Sequence, residues 1–175
     1  MKLFILFLTL IIFYLSACAE QKPEALIPED YSSWKRTTDI ELNYPIPGHM
    51  DNYRIPYINK IGENVSITEQ GGRVVHDYPQ GTIILKEIYA GSTYNEGDVP
   101  TALTVMVKDP ESPLARGGWI WIMKPLNSGQ EIINTDGFCL NCHNDANEDH
   151  PYSQGNPNQE FRDYVFFPYQ PEKTK

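Results

Sequence analysis

The pentapeptide Cys139-Leu140-Asn141-Cys142-His143 constrains this chain more than any other feature of its sequence. Two cysteines separated by two residues and followed at once by a histidine have the spacing that attaches haem covalently. The thiols would bond to the porphyrin, and His143 would ligate the iron. The alternative is a redox Cys-x-x-Cys pair, which does not require the following histidine. The motif therefore predicts one haem c, covalently attached, for which the fold must leave room.

The N-terminus has the composition of an export signal. A lysine precedes an apolar run over residues 3–15, which is too short for a membrane span but has the length of a signal-peptide core. The run ends in Leu15-Ser16-Ala17-Cys18, which is similar to the lipobox of bacterial lipoproteins. We expect 1–17 to be a lipoprotein signal peptide and 18–27 a tether that begins at a lipidated Cys18. A plain signal peptide cut elsewhere is the alternative.

The remaining residues, 28–175, are expected to form a single haem-binding domain. With Cys18 lipidated and both motif cysteines bonded to haem, no cysteine is left for a disulfide. The formal net charge of −9 makes nucleic acid a poor partner on electrostatic grounds. We expect a lipid-anchored protein of the bacterial cell envelope that faces the periplasm. Ala19, where a retention signal would have aspartate, favours the outer membrane.

Several segments have the pattern of strands in an antiparallel sheet. Residues 81–89 are rich in β-branched side chains, and residues 103–108 and 119–124 alternate in polarity. In the last of these, Trp119 and Trp121 share one face, and the isoleucines share the other. A further strand is expected at 53–59. Together they predict an α+β fold, mainly antiparallel β-sheet with a few short helices.

The helical content is expected to be small. Residues 28–35 predict a short amphipathic helix, because a proline and two acidic residues open it and two aromatic side chains lie three apart. Residues 61–70 leave helix and strand open. A loop and a short helix should lead into the haem motif, and 145–159 is too polar to be core. Prolines and glycines throughout the chain exclude a four-helix bundle.

The chain resembles the cytochrome P-460 family, β-rich c-type haem proteins that oxidise hydroxylamine and are related to the cytochromes c-prime-beta. The resemblance rests on several blocks in family order. Gln80 departs from the family, which has aspartate there. The blocks are Tyr31-Ser32-Ser33-Trp34, Arg54 before Tyr57-Ile58-Asn59, the segment 79–87, Val107-Lys108-Asp109, Gly117-Gly118-Trp119, the haem motif and Asp163-Tyr164-Val165-Phe166.

The resemblance implies roles for particular side chains. The family lysine that matches Lys86 is bonded through its amine to a meso carbon of the porphyrin; the alternative is an ordinary strand lysine that reaches solvent. Arg54 would hydrogen-bond an iron-bound ligand or, alternatively, form a surface ion pair. A carboxylate near the motif would take protons from hydroxylamine, and Glu131 and Asp136 are the candidates. Phe138 stands directly before the motif instead of an acid.

The resemblance implies oxidation of hydroxylamine to nitrous oxide or nitrite at a five-coordinate haem, with a periplasmic cytochrome as electron acceptor and a homodimer as the assembly. One alternative is a non-enzymatic protein that binds nitric oxide or carbon monoxide, like the cytochromes c-prime-beta. Another is simple electron transfer, which needs a sixth ligand. The histidines and methionines that could supply one are expected to be solvated or core residues: His49, His76, His150, Met106 and Met123.

Overall fold

A computed structural model describes residues 26–49 and 51–171 of the chain. In this part the chain forms eight strands, one α-helix and three short 3₁₀ turns. The 3₁₀ turns are Tyr31–Ser33, Gly62–Asn64 and Asn144–Asn147. The helix, α1, is Phe138–His143. The strands are β1 Lys35–Arg36, β2 Asn52–Ile58, β3 Ser66–Gln70, β4 Arg73–Asp77, β5 Ile83–Ala90, β6 Ala102–Lys108, β7 Trp119–Pro125 and β8 Ile132–Asn134.

Six of these strands form one antiparallel sheet in the order β1-β2-β5-β6-β7-β8. The strands from β5 to β8 follow one another as neighbours, and β2 pairs with β5 along its whole length. The hairpin of β3 and β4 lies outside this sheet and connects β2 to β5. The predicted class, a mainly antiparallel β-sheet with few short helices, is confirmed for a single domain.

The two faces of the sheet are buried by different partners. Ile84, Met106 and Trp121 lie on one face, in a cluster that also holds residues from the C-terminal segment. Cys139 and Leu140 of α1 pack against that same cluster. The sheet therefore carries the haem motif on one face and buries a separate cluster on the other. The members of that second cluster are Ile27, Leu85, Leu103, Val105, Ile120 and Ile122.

The predicted strands form within one or two residues of their expected bounds. The predicted helix over 28–35 is wrong, because only Tyr31–Ser33 turns, as a 3₁₀ element, and β1 follows it. The Tyr31 hydroxyl binds Glu87 and β1 pairs with β2, so tertiary contacts outweigh the local helical pattern. The segment 61–70 contains both of the forms that the sequence left open, a 3₁₀ turn and then β3.

Two features of the region before the motif differ from expectation. The predicted loop after β7 contains β8, whose three residues pair with Trp121, Ile122 and Met123. So short a strand has no sequence pattern of its own, and pairing with a neighbour creates it. The predicted short helix is α1 itself, so that the motif is the helix instead of following one. Among residues 26–49 and 51–171, no helix is long and apolar enough to cross a membrane.

The C-terminal segment returns to the sheet through an unusual backbone turn. Asp163 and Tyr164 have φ values of 49° and 68°, a left-handed conformation that is uncommon for residues other than glycine. Side-chain bonds hold the turn: Lys108 Nζ donates to Asp163 Oδ2 at 2.6 Å, and Trp119 Nε1 donates to Oδ1 at 3.2 Å. The turn fixes the direction of the Tyr164 carbonyl, which contacts the imidazole of His143.

Candidate functional site

Helix α1 presents the haem motif to a cavity on one face of the sheet. The carboxylate of Asp136 accepts the Phe138 backbone N–H at 2.9 Å, at the start of the helix. Gly117, with φ of +64°, lets the helix approach, because a Cβ there would lie 2.6 Å from Leu140 Cδ1. Both motif cysteines line the cavity.

His143 is oriented by a backbone carbonyl. Its Nδ1 lies 2.8 Å from the Tyr164 oxygen, and because a carbonyl only accepts, Nδ1 is the donor. Nε2 therefore keeps its lone pair, as a metal-ligating imidazole requires. The Trp121 and Phe166 rings enclose the imidazole, with centroids 4.8 and 5.3 Å from its own. Burial, and then the charge of Lys86, lower the pKa of His143 to about 3, so the ligand is neutral.

The cavity that these groups share has a volume of about 420 Å³ and a mainly apolar lining. A macrocycle needs apolar walls, two thiols and an axial nitrogen, and the cavity offers all three. The residues present therefore fit a covalently held haem, with Cys139 and Cys142 as attachment points and His143 as the iron ligand. Apolar side chains that line the walls include Leu42, Ile46, Ile84, Ile88, Met106, Trp121, Val165, Phe166 and Phe167.

A larger depression, of about 720 Å³, is lined by residues that follow α1, by β4 and by the C-terminal segment, and its walls are mainly polar. Arg73, Asn147, Asp149 and Gln159 are among its lining residues, and it is broadly open to solvent. Neither motif cysteine nor His143 reaches it. An apolar macrocycle would gain little from such walls, so the smaller cavity is the candidate site.

Lys86 projects from β5 into the cavity. Its burial, together with the positive charge of Arg54, lowers the pKa of its amine to about 7. A substantial share of this amine is therefore unprotonated at neutral pH, in the form that can act as a nucleophile. Its Nζ lies 3.1 Å from the Nε2 atom of His49. The structure thus brings Lys86 together with Cys139, Cys142 and His143.

His49 is a residue of the site that the sequence analysis considered only as a possible sixth ligand and expected to be solvated. It lies in the loop before β2, where its backbone N–H donates to the Ile46 carbonyl at 3.0 Å, and it lines the cavity. The charge of Lys86, followed by burial, lowers the pKa of its imidazole to about 2. The sequence expectation of a solvated histidine rested on its polar neighbours. The only local signal was the preceding Pro47-Gly48 turn, which folds the loop back over β2.

Arg54 lines the cavity, but two of its donors are already occupied. Its Nε donates to the Leu42 carbonyl at 3.1 Å, and one terminal nitrogen donates to the Tyr44 carbonyl at 2.6 Å. The guanidinium also lies over the Tyr44 ring, 5.0 Å from its centroid. These contacts tie the loop that carries His49 to β2. Arg54 is therefore a fixed support of the cavity wall as well as a positive charge beside it.

The two carboxylates predicted from the sequence do not line the cavity. Glu131 binds the Leu26 backbone N–H at 2.9 Å and Lys124 at 3.5 Å, away from the motif. Asp136 is exposed at the start of α1. Among the described residues, Asp145 is the only carboxylate in the lining, and the sequence analysis did not select it. It follows His143 by two residues and therefore belongs to the segment of the iron ligand.

Other residues singled out in the sequence have structural surroundings. Trp119 and Met106 are core residues, and Met106 also lines the cavity. Met123 is exposed at the cavity mouth. His76 and His150 lie outside the cavity lining. Cys18 and the whole predicted signal peptide lie outside the described residues.

Comparison with known proteins agrees with this geometry. A search of curated proteins gave no match. The family model described as Cytochrome P460 matches residues 28–167, which include every strand, the haem motif and the turn behind His143. The match supports haem binding through the motif, as the cavity does. On these grounds the chain belongs to the cytochrome P460 family and is a c-type haem protein.

Proposed function

We propose that the protein, with haem attached, oxidises hydroxylamine to nitrous oxide or nitrite at the open position of a five-coordinate haem. The bound haem would supply the redox-active iron. The observation that carries the proposal is the position of Lys86, whose amine shares one cavity with the attachment motif. A wall lysine with this access is what the family crosslink to the porphyrin requires. An ordinary strand lysine would send its ammonium to solvent.

The protein's own groups prepare the site. The Tyr164 carbonyl holds His143 through Nδ1, so that Nε2 can ligate from one side only. The apolar walls exclude water from the reacting molecule and strengthen every charge interaction within the cavity. Arg54 keeps the loop over β2 in position. With haem bound, His143 would be its iron ligand, and the polar nitrogens of Lys86 and His49 line the same cavity.

The electrons of the reaction must leave the protein. Two hydroxylamine molecules give nitrous oxide and water with the release of four protons and four electrons, and one hydroxylamine with one water gives nitrite with five protons and four electrons. An external acceptor is therefore part of the proposal. We propose a periplasmic cytochrome, and the net charge of −9 favours one with a basic docking surface.

The test compares the wild-type holoprotein with Lys86→Ala in two measurements. The first is the absorption spectrum of the reduced protein. A Soret band that is displaced to the red in the wild type, but not in the variant, supports the crosslink. The second is hydroxylamine turnover with a dye as electron acceptor, which should fall at least 10-fold in the variant. Lys60→Ala, an exposed lysine near β2, is the matched control. Equal spectra and equal turnover in both proteins would contradict the proposal.

A gas-binding role is the second candidate, and one observation favours it. The cavity mouth is apolar, with Phe138 57% exposed and Met123 and Ile132 beside it. Such a mouth admits nitric oxide or carbon monoxide without supplying protons. Tight carbon monoxide binding without hydroxylamine turnover would identify this role and exclude the enzymatic one.

We also propose that the protein is anchored in the bacterial envelope by lipid on Cys18, facing the periplasm, and that it is a homodimer. The lipobox-like sequence before Cys18 supports the anchor. Cys18→Ser should move the protein from the membrane fraction to the soluble fraction and should leave haem attachment unchanged. Membrane association of that variant would contradict the anchor. Sedimentation of the soluble variant tests the dimer.

A further inference from the structure

Hydroxylamine oxidation releases protons, and among the described residues the cavity lining offers Asp145 as its only carboxylate. Glu131 and Asp136 lie elsewhere, and Asp145 belongs to the His143 segment. The remaining bases in the cavity lining of the described part are the imidazole of His49 and the amine of Lys86. Of these, the amine is the group that the proposed crosslink would consume.

His49 is held where a base would be useful. Its backbone is fixed by the bond to Ile46, and Arg54 ties the start of the same loop to β2. The Nε2 atom of His49 lies 3.1 Å from Lys86 Nζ, and it is the acceptor in that contact whenever the amine donates. Nε2 therefore faces Lys86, and both side chains line the cavity. His49 is thus a ring base in the wall of the cavity in which the proposed substrate would bind.

We propose that His49 is the catalytic base of this cavity: its Nε2 takes the proton from a protic molecule that binds at the haem. For hydroxylamine, an N–H or O–H bond of the substrate breaks, and a bond forms between that proton and Nε2. The electron pair stays with the substrate, and the proton then passes to water at the cavity mouth. The proposal rests on the proposed function only for the identity of the substrate.

Lys86 sets the condition under which His49 can act. The leading cause of the low pKa of His49 is the positive charge of Lys86. An amine bonded to a carbon of the macrocycle is a weak base and carries no fixed positive charge at neutral pH. Bonding of Lys86 would therefore return the imidazole towards its usual basicity. Formation of the crosslink would therefore also make His49 able to accept a proton.

The test uses cyanide, which reaches neutral solution as HCN and must lose its proton to bind ferric haem as the anion. The association rate of cyanide is measured with wild-type holoprotein, His49→Leu and His49→Gln. Both variants should be slower by on the order of 100-fold, because general base catalysis has about this magnitude. The matched control is Glu41→Leu, an exposed side chain in the same loop. It should bind cyanide at the wild-type rate.

A second ligand separates loss of the base from loss of the site. Carbon monoxide carries no proton, so its association with the reduced variants should match the wild type. If both ligands slow equally, the substitutions have altered access, and the base is excluded. Cyanide association at the wild-type rate in both His49 variants would also overturn the proposal. So would a haem that is low-spin in the wild type and high-spin in His49→Leu, because His49 would then be an iron ligand.

Lys86→Met distinguishes the two nitrogen bases. Lys86→Met leaves His49 without a cationic neighbour, as the crosslink would, so cyanide association should be at least as fast as in the wild type. A rate that falls as far as in His49→Leu would assign the proton to Lys86 and overturn the role of His49. Wild-type protein that shows no hydroxylamine turnover but retains the cyanide difference would contradict the proposed function alone. Turnover without the cyanide difference would contradict the base alone.

Discussion

Two adjacent residues of β5, Lys86 and Glu87, place opposite charges on opposite faces of one sheet, and their surroundings differ sharply. Glu87 is 8% exposed, and both of its oxygens accept hydrogen bonds. Lys86 lines an apolar cavity, and its recorded side-chain partner is the His49 nitrogen at 3.1 Å. The hydroxyls that donate to Glu87 belong to Tyr31 at 3.2 Å, Tyr57 at 3.0 Å and Tyr89 at 2.8 Å.

The difference separates a structural charge from a functional one. A buried carboxylate whose hydrogen bonds are satisfied joins the elements that supply its partners. Here the 3₁₀ turn Tyr31–Ser33, β2 and β5 meet at Glu87. Burial raises the pKa of Tyr31 and of Tyr57 to about 12, and the charge of Glu87 adds to the rise. A buried amine with one partner is costly to keep and is typical of a reactive site. The following predictions test this contrast.

The largest effect is expected for the double variant Cys139→Ala, Cys142→Ala. Without thiols, no thioether can form. Lys86→Met is added to the double variant, because the proposed bond from Lys86 to the porphyrin could also hold haem, and this triple variant should lose haem completely on denaturation. Haem staining of a denaturing gel measures this, and Cys18→Ser is the control that should keep its stain. The sheet should still form, because its second cluster does not involve the motif. Retention of haem stain in the triple variant, or its loss in Lys86→Met alone, would refute covalent attachment through these cysteines.

Glu87→Leu should cost about 3–5 kcal/mol in free energy of unfolding, because it leaves three tyrosine hydroxyls without their acceptor. Denaturant unfolding of the holoprotein measures the loss. The matched control is Glu69→Leu, an exposed residue of β3, for which we expect a change below about 0.5 kcal/mol. A loss below about 1 kcal/mol for Glu87→Leu would show that the cluster is not a structural support.

Asp163→Ala should cost about 3 kcal/mol in the same measurement, since Lys108 would lose its partner in a largely buried ion pair. The carboxylate also holds the turn whose Tyr164 carbonyl orients His143. We therefore expect a changed haem reduction potential and a changed iron–histidine stretching frequency, which general destabilisation would not produce. Asp163→Asn should restore part of the stability. An unchanged frequency would mean that the turn does not control the imidazole.

His76 should make stability depend on pH. Burial lowers its pKa below the ordinary 6.5, and the charge of Arg162 also lowers it, while Glu160 partly opposes this. The unfolded chain therefore binds a proton more readily than the folded one, so stability falls as pH drops below about 6.5. The slope for this group is at most about 1.4 kcal/mol per pH unit. Unfolding at several pH values should show a smaller slope in His76→Gln; equal slopes would refute the assignment.

The smallest effect is expected for Lys86→Met. Removing an amine from an apolar cavity removes its desolvation cost, so the free energy of unfolding should stay within about 1 kcal/mol of the wild type or rise. Apoprotein is compared with apoprotein by denaturant unfolding, so that haem attachment does not enter. A loss of unfolding free energy as large as that for Glu87→Leu would show that Lys86 is also a structural charge, and that the two faces of the sheet do not differ in this respect.

Local pattern in the sequence was enough to predict the sheet and the cofactor. Alternation in β7 and the β-branched run in β5 predicted strands, because side chains of a strand point to alternate faces. The haem motif predicted its own ligands, because all three lie within five residues. The same closeness explains why His143 is carried by a helix that also presents both cysteines.

The rest of the site depends on residues far apart in the chain, which only the tertiary structure brings together. His49 and Lys86 are 37 residues apart, and the pairing of β2 with β5 makes them neighbours. The prediction that Glu131 or Asp136 lies at the site was wrong for the same reason. Closeness to the motif in sequence does not decide whether a carboxylate faces the cavity, and these two bind backbone N–H groups elsewhere. Sequence determined the chemistry available, and strand pairing decided which groups line the cavity.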